Sequence, residues 1–372
     1  MNLLEQKIID KIQKEGPITF ETFMEMALYE TGLGYYASAS TEIGRAGDFY
    51  TSQHLHPAFG ALIGKQIEEM WEIMGRPPAF YIIEPGAGAG LMCMDIMHYL
   101  HKKQIFNSLA YVIVEKNPFV EEKQKKLLTR YQNKIAWVSS IKQIGNIKGC
   151  VLSNELLDAF PVHVIEMDHA LKEIYVAVDN GNFKEIKGPF SKDALGEYLN
   201  EFSIELPEGY RTEINLRVKD WLTAIGEVLS EGFILTIDYG HPAPDYYSEE
   251  RNRGTLLCYY KHQVSENPYI NIGRQDMTAH VNFSSLRRWG EEIGFKTLGF
   301  CQQGTFLISL GIDEIIQELY ENSKDYLFEV AKIKRLIFPG TLGETHKVMI
   351  QYKGKGEPKP RGFSIKNQKD KL

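Results

Sequence analysis

Tyr81-Ile82-Ile83-Glu84-Pro85-Gly86-Ala87-Gly88-Ala89-Gly90 decides the fold. Residues 79–83 form a short continuous apolar run, the pattern of a parallel strand buried on both faces. An acid follows the run. Three glycines then alternate with small residues and lead into an apolar helix over about 91–100. Glycines there turn the backbone tightly and let a ligand approach without meeting a Cβ. Ligands of open α/β sheets bind outside the carboxyl ends of the strands, which is where this turn falls.

The neighbouring segments repeat the alternation. A strand is expected at 110–114, a charged helix at about 118–130, and short strands at 135–138 and 149–152. Strand and helix in turn define a doubly wound α/β sheet. Ahead of it, Leu4, Ile8, Ile9 and Ile12 have helix spacing, Thr19 can cap a second helix, and a third follows Pro57. The chain therefore divides into N-terminal helices and a lid loop (1–56), the first part of the core (57–161) and a β-rich insertion (162–210). Then come the core continued with a helix near 211–230 (211–240), a second insertion (241–281), completion of the core (282–352) and a basic, flexible tail (353–372).

Composition excludes several classes. The chain has 372 residues, 43% of them apolar, with a net charge of −7. At about 150 residues per domain this is two to three domain-equivalents, ample for a buried core. The acidic balance opposes nucleic-acid binding by bulk charge. No apolar run approaches the roughly 18 residues that span a bilayer, and the start resembles neither a secretory signal nor an Arg- and Ser-rich transit peptide. Cys93, Cys150, Cys258 and Cys301 form no C-x-x-C pair, which implies buried thiols in a reducing compartment.

The glycine turn fails the dinucleotide pattern G-x-G-x-x-G, because the sixth position is Leu91 counted from Gly86 and Cys93 counted from Gly88. Glu84 suits a positively charged amino-acid head group, and Glu115, after the second strand, suits two ribose hydroxyls. The pair fits S-adenosylmethionine better than a nicotinamide cofactor. Beyond the fourth strand stand Asn154, Glu155 and Asp158. On a helical turn the two acids, three apart, share a face and can orient a cationic acceptor. Alternatively Asn154 caps a helix whose first turn they fill. Asp238 either lines the acceptor site or holds the Tyr239-Gly240 turn. Asp48 is a lid contact or an Asx turn, and His280 a base, an acceptor contact or a structural residue. The pairs His54/His56 and His98/His101 lack a third ligand, so no metal is expected.

These residues match a family. The chain resembles the MidA-like methyltransferases, whose mitochondrial members are complex I assembly-factor arginine methyltransferases. The resemblance rests on Gly47-Asp48-Phe49-Tyr50-Thr51-Ser52, the Glu84–Gly90 loop, the stretch 153–163, Asp238-Tyr239-Gly240-His241, Arg253-Gly254-Thr255-Leu256 and the stretch 276–283, in the family's order. Ala87, Ala89 and Leu91 depart from the family's E-x-G-P-G-R-G-T loop.

The resemblance implies a class I methyltransferase fold, Rossmann-like, with a seven-stranded sheet. It implies S-adenosylmethionine as methyl donor, S-adenosylhomocysteine as product and a protein arginine as acceptor. Asp48, Thr51, Ser52, Glu84, Gly86, Gly88, Gly90, Glu115 and Asn154 are then the cofactor-binding set, and Glu155, Asp158 and His280 the catalytic set. A protein partner is expected, with no nucleic acid and no membrane span, and a homodimer is left open. The compartment is the cytoplasm for a bacterial-type protein and the mitochondrial matrix for a eukaryotic one.

Overall fold

The core strands are β1 (Phe80–Pro85), β2 (Leu109–Val114), β3 (Ile135–Val138), β4 (Ile147–Asn154), β5 (Leu229–His241), β6 (Lys296–Gln302) and β7 (His346–Lys353). In this computed structural model, which describes residues 2–38 and 52–372, they lie in the order β3-β2-β1-β4-β5-β7-β6. Neighbours among β1 to β5 are parallel, whereas β7 runs antiparallel to both β5 and β6. A two-residue strand, Val281–Asn282, pairs with the end of β5, so the sheet has eight members where seven were expected.

The chain runs outward from β1 to β3 and returns to place β4 beside β1. That reversal opens a crevice at the carboxyl ends of β1 and β4. Alternation along the strands feeds two layers. Phe80 and Ile82 pack with the helices Ala58–Ile73 and Leu91–Leu100. Ile83, Val151 and Ile234 pack on the opposite side with the helices Arg217–Val228 and Phe283–Glu292.

The first insertion does not stand alone. Its strands His163–Asp168, Ala170–Asp179 and Asn182–Gly188 form a five-stranded sheet with Arg211–Ile214, just past the expected end of the insertion, and Ile18–Thr19 of the N-terminal segment. Phe20, Phe23, Val162, Val176 and Met277 share the core of this lobe. The helix expected from 211 begins at Arg217, because Arg211–Ile214 pairs with His163–Glu166 and its side chains are needed in the sheet.

The tail is also corrected. Its lysines suggested a solvated terminus, but Phe363 is buried and packs on Phe306 with ring centroids 5.4 Å apart. The amides of Arg361 and Gly362 donate to Glu69 Oε2 (2.8 Å) and Gln66 Oε1 (3.0 Å), and that of Gln368 to the Phe300 carbonyl (2.7 Å). One aromatic anchor and three donating amides dock the segment on the helix Ala58–Ile73 and on β6. All four cysteines are buried and unpaired, as expected. Among the described residues no helix is long and apolar enough to cross a membrane.

Candidate active site

At the donor end, Gly86, Gly88 and Gly90 have φ of 65°, 55° and 82°. These are left-handed conformations that cost a residue with a Cβ about 1–2 kcal/mol each. The Gly86 amide donates to the Val114 carbonyl (3.1 Å), tying the turn to β2. Gln124, on the helix Pro118–Leu127, clasps it from below: its Nε2 donates to the Gly88 carbonyl (2.9 Å) and to Glu115 Oε2 (3.3 Å). Trp137 Nε1 in turn donates to Gln124 Oε1 (3.0 Å). Glu115 Oε1 accepts from the Asn117 amide (2.8 Å), and Asn117 Nδ2 reaches the carbonyls of Tyr36 and Ser38. Burial raises the Glu115 pKa, with these bonds pulling the other way. Gln124 and Asn117 were not anticipated. The signal available for Gln124 was a polar residue on the buried face of an otherwise charged helix.

Glu84 is buried, and its Oε2 accepts from the Tyr111 hydroxyl at 2.6 Å. Burial outweighs that bond and lifts its pKa from 4.5 to about 7.

Beyond the glycine turn, Asn154 closes β4, buried, with no hydrogen-bond partner for Oδ1 among the described residues. No helical turn follows. Glu155 takes φ 47°, and its amide donates to the Ile237 carbonyl (2.9 Å). Asp238 on β5 organises what comes next: Oδ2 accepts from the amides of Leu156 (3.2 Å) and Leu157 (3.0 Å), and Oδ1 from that of Tyr239 (2.8 Å). Glu155 and Asp158 are thus gathered by a side chain some 80 positions away in sequence, and the expected shared helix face is replaced by a loop pinned to β5.

Asp158 is buried, and its Oδ1 has no hydrogen-bond partner among the described residues. Burial, then the charges of Asp238, Glu155 and Asp276, hold its carboxyl well above the usual range. Asp276 arrives from the second insertion and accepts from the Tyr36 hydroxyl (2.7 Å). Burial raises the pKa values of Tyr29, Tyr36, Tyr239 and Tyr259, and nearby acids, Asp158 among them, add to it. A cluster of carboxyls and tyrosines of this kind favours a planar cation over an anion.

Ser52 opens the short helix Ser52–Leu55. Its amide donates to Glu155 Oε1 (3.2 Å) and its hydroxyl meets Gln303 Oε1 (3.1 Å). Asp48 and Thr51 lie outside the described residues. His280 lies nearly parallel to the Tyr239 ring at 6.3 Å and 5.2 Å from the His241 ring. Its Nδ1 has no hydrogen-bond partner among the described residues, and burial drives its pKa down to about 4. The histidine against Glu155 is His346, with Nε2 at 3.4 Å from Oε1.

The Arg253-Gly254-Thr255-Leu256 motif has a structural role. Buried Glu213 accepts from the Thr255 amide (2.9 Å), the Thr255 hydroxyl (2.9 Å) and the Leu256 amide (3.3 Å). Gly254, at φ 85°, leaves only 2.1 Å between a Cβ and Glu213 Oε1. Gly254→Val is expected to cost about 3 kcal/mol through backbone strain and displacement of that carboxylate, read as a lower midpoint in urea unfolding.

A core sheet of this order with a glycine turn after β1 and an acid beyond β2 defines a class I methyltransferase. The chain belongs to the S-adenosyl-L-methionine-dependent methyltransferase family whose model matches residues 62–301. It is similar to the Rattus norvegicus protein arginine methyltransferase NDUFAF7, mitochondrial, at 26% identity over 85% of this chain and 76% of that protein. It is 24% identical to the Drosophila melanogaster homologue over 94% of this chain and 85% of that one. A Burkholderia thailandensis protein crystallised with S-adenosyl-homocysteine superposes with a TM-score of 0.91 and 27% identity, covering 99% of this chain and 96% of that one. The methyl donor is S-adenosylmethionine, and the left-handed glycine turn and the half-buried Glu115 fit it.

Proposed function

We propose that the chain transfers a methyl group from S-adenosylmethionine to a guanidinium nitrogen of a protein arginine. The observation that carries this reading is Glu155, held at φ 47° beyond β4, beside Asp158 and Tyr239. The donor supplies an electrophilic methyl on a sulfonium. The protein's task is alignment and charge. Gly86, Gly88 and Gly90 cradle the amino-acid portion, Glu84 faces its ammonium, Glu115 takes the ribose hydroxyls, and Asp48, Thr51, Ser52 and Asn154 complete the donor site. Glu155 forks to two guanidinium nitrogens and turns the third toward the methyl. Asp158 supports Glu155, and His280 is a further acceptor contact.

The arginine methyltransferase names of the relatives support the same acceptor, and a respiratory-complex subunit is the class that the resemblance implies. A reducing compartment, cytoplasm or mitochondrial matrix, suits four free thiols. The test is transfer of labelled methyl from S-adenosylmethionine into lysate protein, followed by acid hydrolysis. Labelled methylarginine is expected. Label on any other residue overturns the acceptor, and transfer to a small molecule favours a metabolite methyltransferase.

Glu84 gives a pH prediction. Its carboxyl is largely protonated below about 7, so affinity for the donor rises as pH climbs through that value. It falls again when the donor's ammonium deprotonates, near 8. Glu84→Gln should weaken binding roughly tenfold and flatten the acid limb. The same change should stabilise the fold by about 2 kcal/mol at pH 7.5. A carboxyl raised on folding costs stability as pH rises from 4.5 toward 7, and glutamine removes that cost. Calorimetric titrations between pH 6 and 9 and urea unfolding read both effects.

A further inference from the structure

His346 opens β7 and is fully buried. Its Nε2 lies 3.4 Å from Glu155 Oε1, within ion-pair distance but out of hydrogen-bond alignment. Its Nδ1 meets the Thr345 hydroxyl at 3.2 Å. The antiparallel register of β5 and β7 sets Tyr239 directly opposite His346, and the two rings are 3.9 Å apart between centroids. The imidazole is therefore clamped between a tyrosine face and the carboxylate proposed to hold the acceptor.

The reaction leaves one proton to dispose of, and the other groups at the site are poorly placed to take it. Asp238 spends its oxygens on three backbone amides. Asp158 already favours its protonated form through burial. His280 lies against Tyr239 and His241 rather than Glu155.

We propose that His346 is the positioning residue for Glu155: it holds the Glu155 carboxyl once that carries the proton the guanidinium gives up, and takes that proton at Nε2. The inference rests on the arginine reading. A guanidinium nitrogen forms a bond to the methyl carbon while the carbon–sulfur bond breaks, its electron pair staying on sulfur. The nitrogen then carries one proton too many, which passes to Glu155 and on to the Nε2 lone pair of His346. The acceptor keeps its single positive charge, the sulfonium charge is lost, and the imidazolium releases the proton to solvent after product leaves.

The test uses the full chain, with small-molecule-free lysate protein as acceptor mixture and labelled S-adenosylmethionine as donor. His346→Ala is expected to slow methylarginine formation about 100-fold, the lower range for a lost proton-transfer group, while calorimetric affinity for the donor stays within about threefold. Imidazole added to the His346→Ala protein should restore the rate about tenfold, which a packing role alone would not allow. The double variant with Glu155→Gln should be no slower than Glu155→Gln alone, because groups acting as a unit are not additive. In parallel, the ¹⁵N signal of His346 Nε2 should move when Glu155 becomes glutamine.

A His346→Ala protein at the wild-type rate, or a slow one that imidazole does not rescue, overturns the proposal. If the wild type labels a residue other than arginine, the acceptor reading falls, and the same rate comparison on that product still decides the relay. If the wild type transfers nothing, or His346→Ala does not fold, the Nε2 signal decides: unmoved by Glu155→Gln, it overturns the pairing.

Discussion

Glu155→Gln is expected to lower methyl transfer about 1,000-fold while leaving affinity for S-adenosylmethionine within about threefold. Glutamine keeps the shape and can still accept from the Ser52 amide, which now meets Glu155 Oε1 at 3.2 Å. It cannot offer two anionic oxygens to a guanidinium, nor receive a proton. The loss corresponds to about 4 kcal/mol of transition-state stabilisation. The same variant should be slightly more stable than the wild type. The Glu155 charge raises the pKa values of Asp158 and Asp238, so removing it relieves repulsion inside a buried cluster. A slower enzyme with a higher melting temperature would mark Glu155 as a residue kept for function at the expense of stability. A variant that turns over at the wild-type rate would instead remove Glu155 from the catalytic set.

Asp238→Ala is expected to destabilise the fold by about 5 kcal/mol and to abolish transfer. Three amide groups lose their acceptor, and water reaches them poorly because Asp238 is fully buried. The loop they hold keeps Glu155 at φ 47°, a conformation that costs a residue with a side chain about 1–2 kcal/mol and persists only under outside restraint. Denaturant unfolding by circular dichroism reads the first effect. Labelled-methyl transfer by the folded fraction reads the second, and donor titration of that fraction is the control, since the glycine turn on β1 does not depend on Asp238 and should still bind. Loss of stability below about 1 kcal/mol would show that the loop is held by other contacts.

Asp238 also shows where sequence reading stops. Its two candidate roles, lining the site or holding a turn, were equally open from residue types alone. The structure gives it the turn together with the Leu156 and Leu157 amides, a bond set that depends on β4 and β5 being neighbours. Glu155 and Asp158 were recognisable as a pair, because polar residues after a buried strand fall at the ligand edge. The helical turn meant to align them does not form, since Asp238 offers those amides a better acceptor than a carbonyl one turn back.

His346 was read only as the first residue of the last strand. Polar residues at strand ends were sought where parallel strands finish. The last strand is antiparallel, so its first residue arrives at that same edge, facing Tyr239 and Glu155. Likewise Ile18–Thr19 joins a sheet whose other strands lie about 150 residues further on, and the tail docks through Phe363 and three amides that its lysines obscured.

What the sequence determined by itself was the local grammar. The apolar run at β1, the three glycines and the helix Leu91–Leu100 name a nucleoside-binding α/β sheet, because the period of burial and the need for positive φ are properties of neighbouring residues. The tertiary structure alone decided which distant groups meet: Gln124 under the glycine turn, Asp238 beneath the Glu155 loop, Asp276 beside Asp158 and His346 against Glu155. Those meetings depend on strand order, strand direction and long-range register, and no short stretch of chain encodes any of the three.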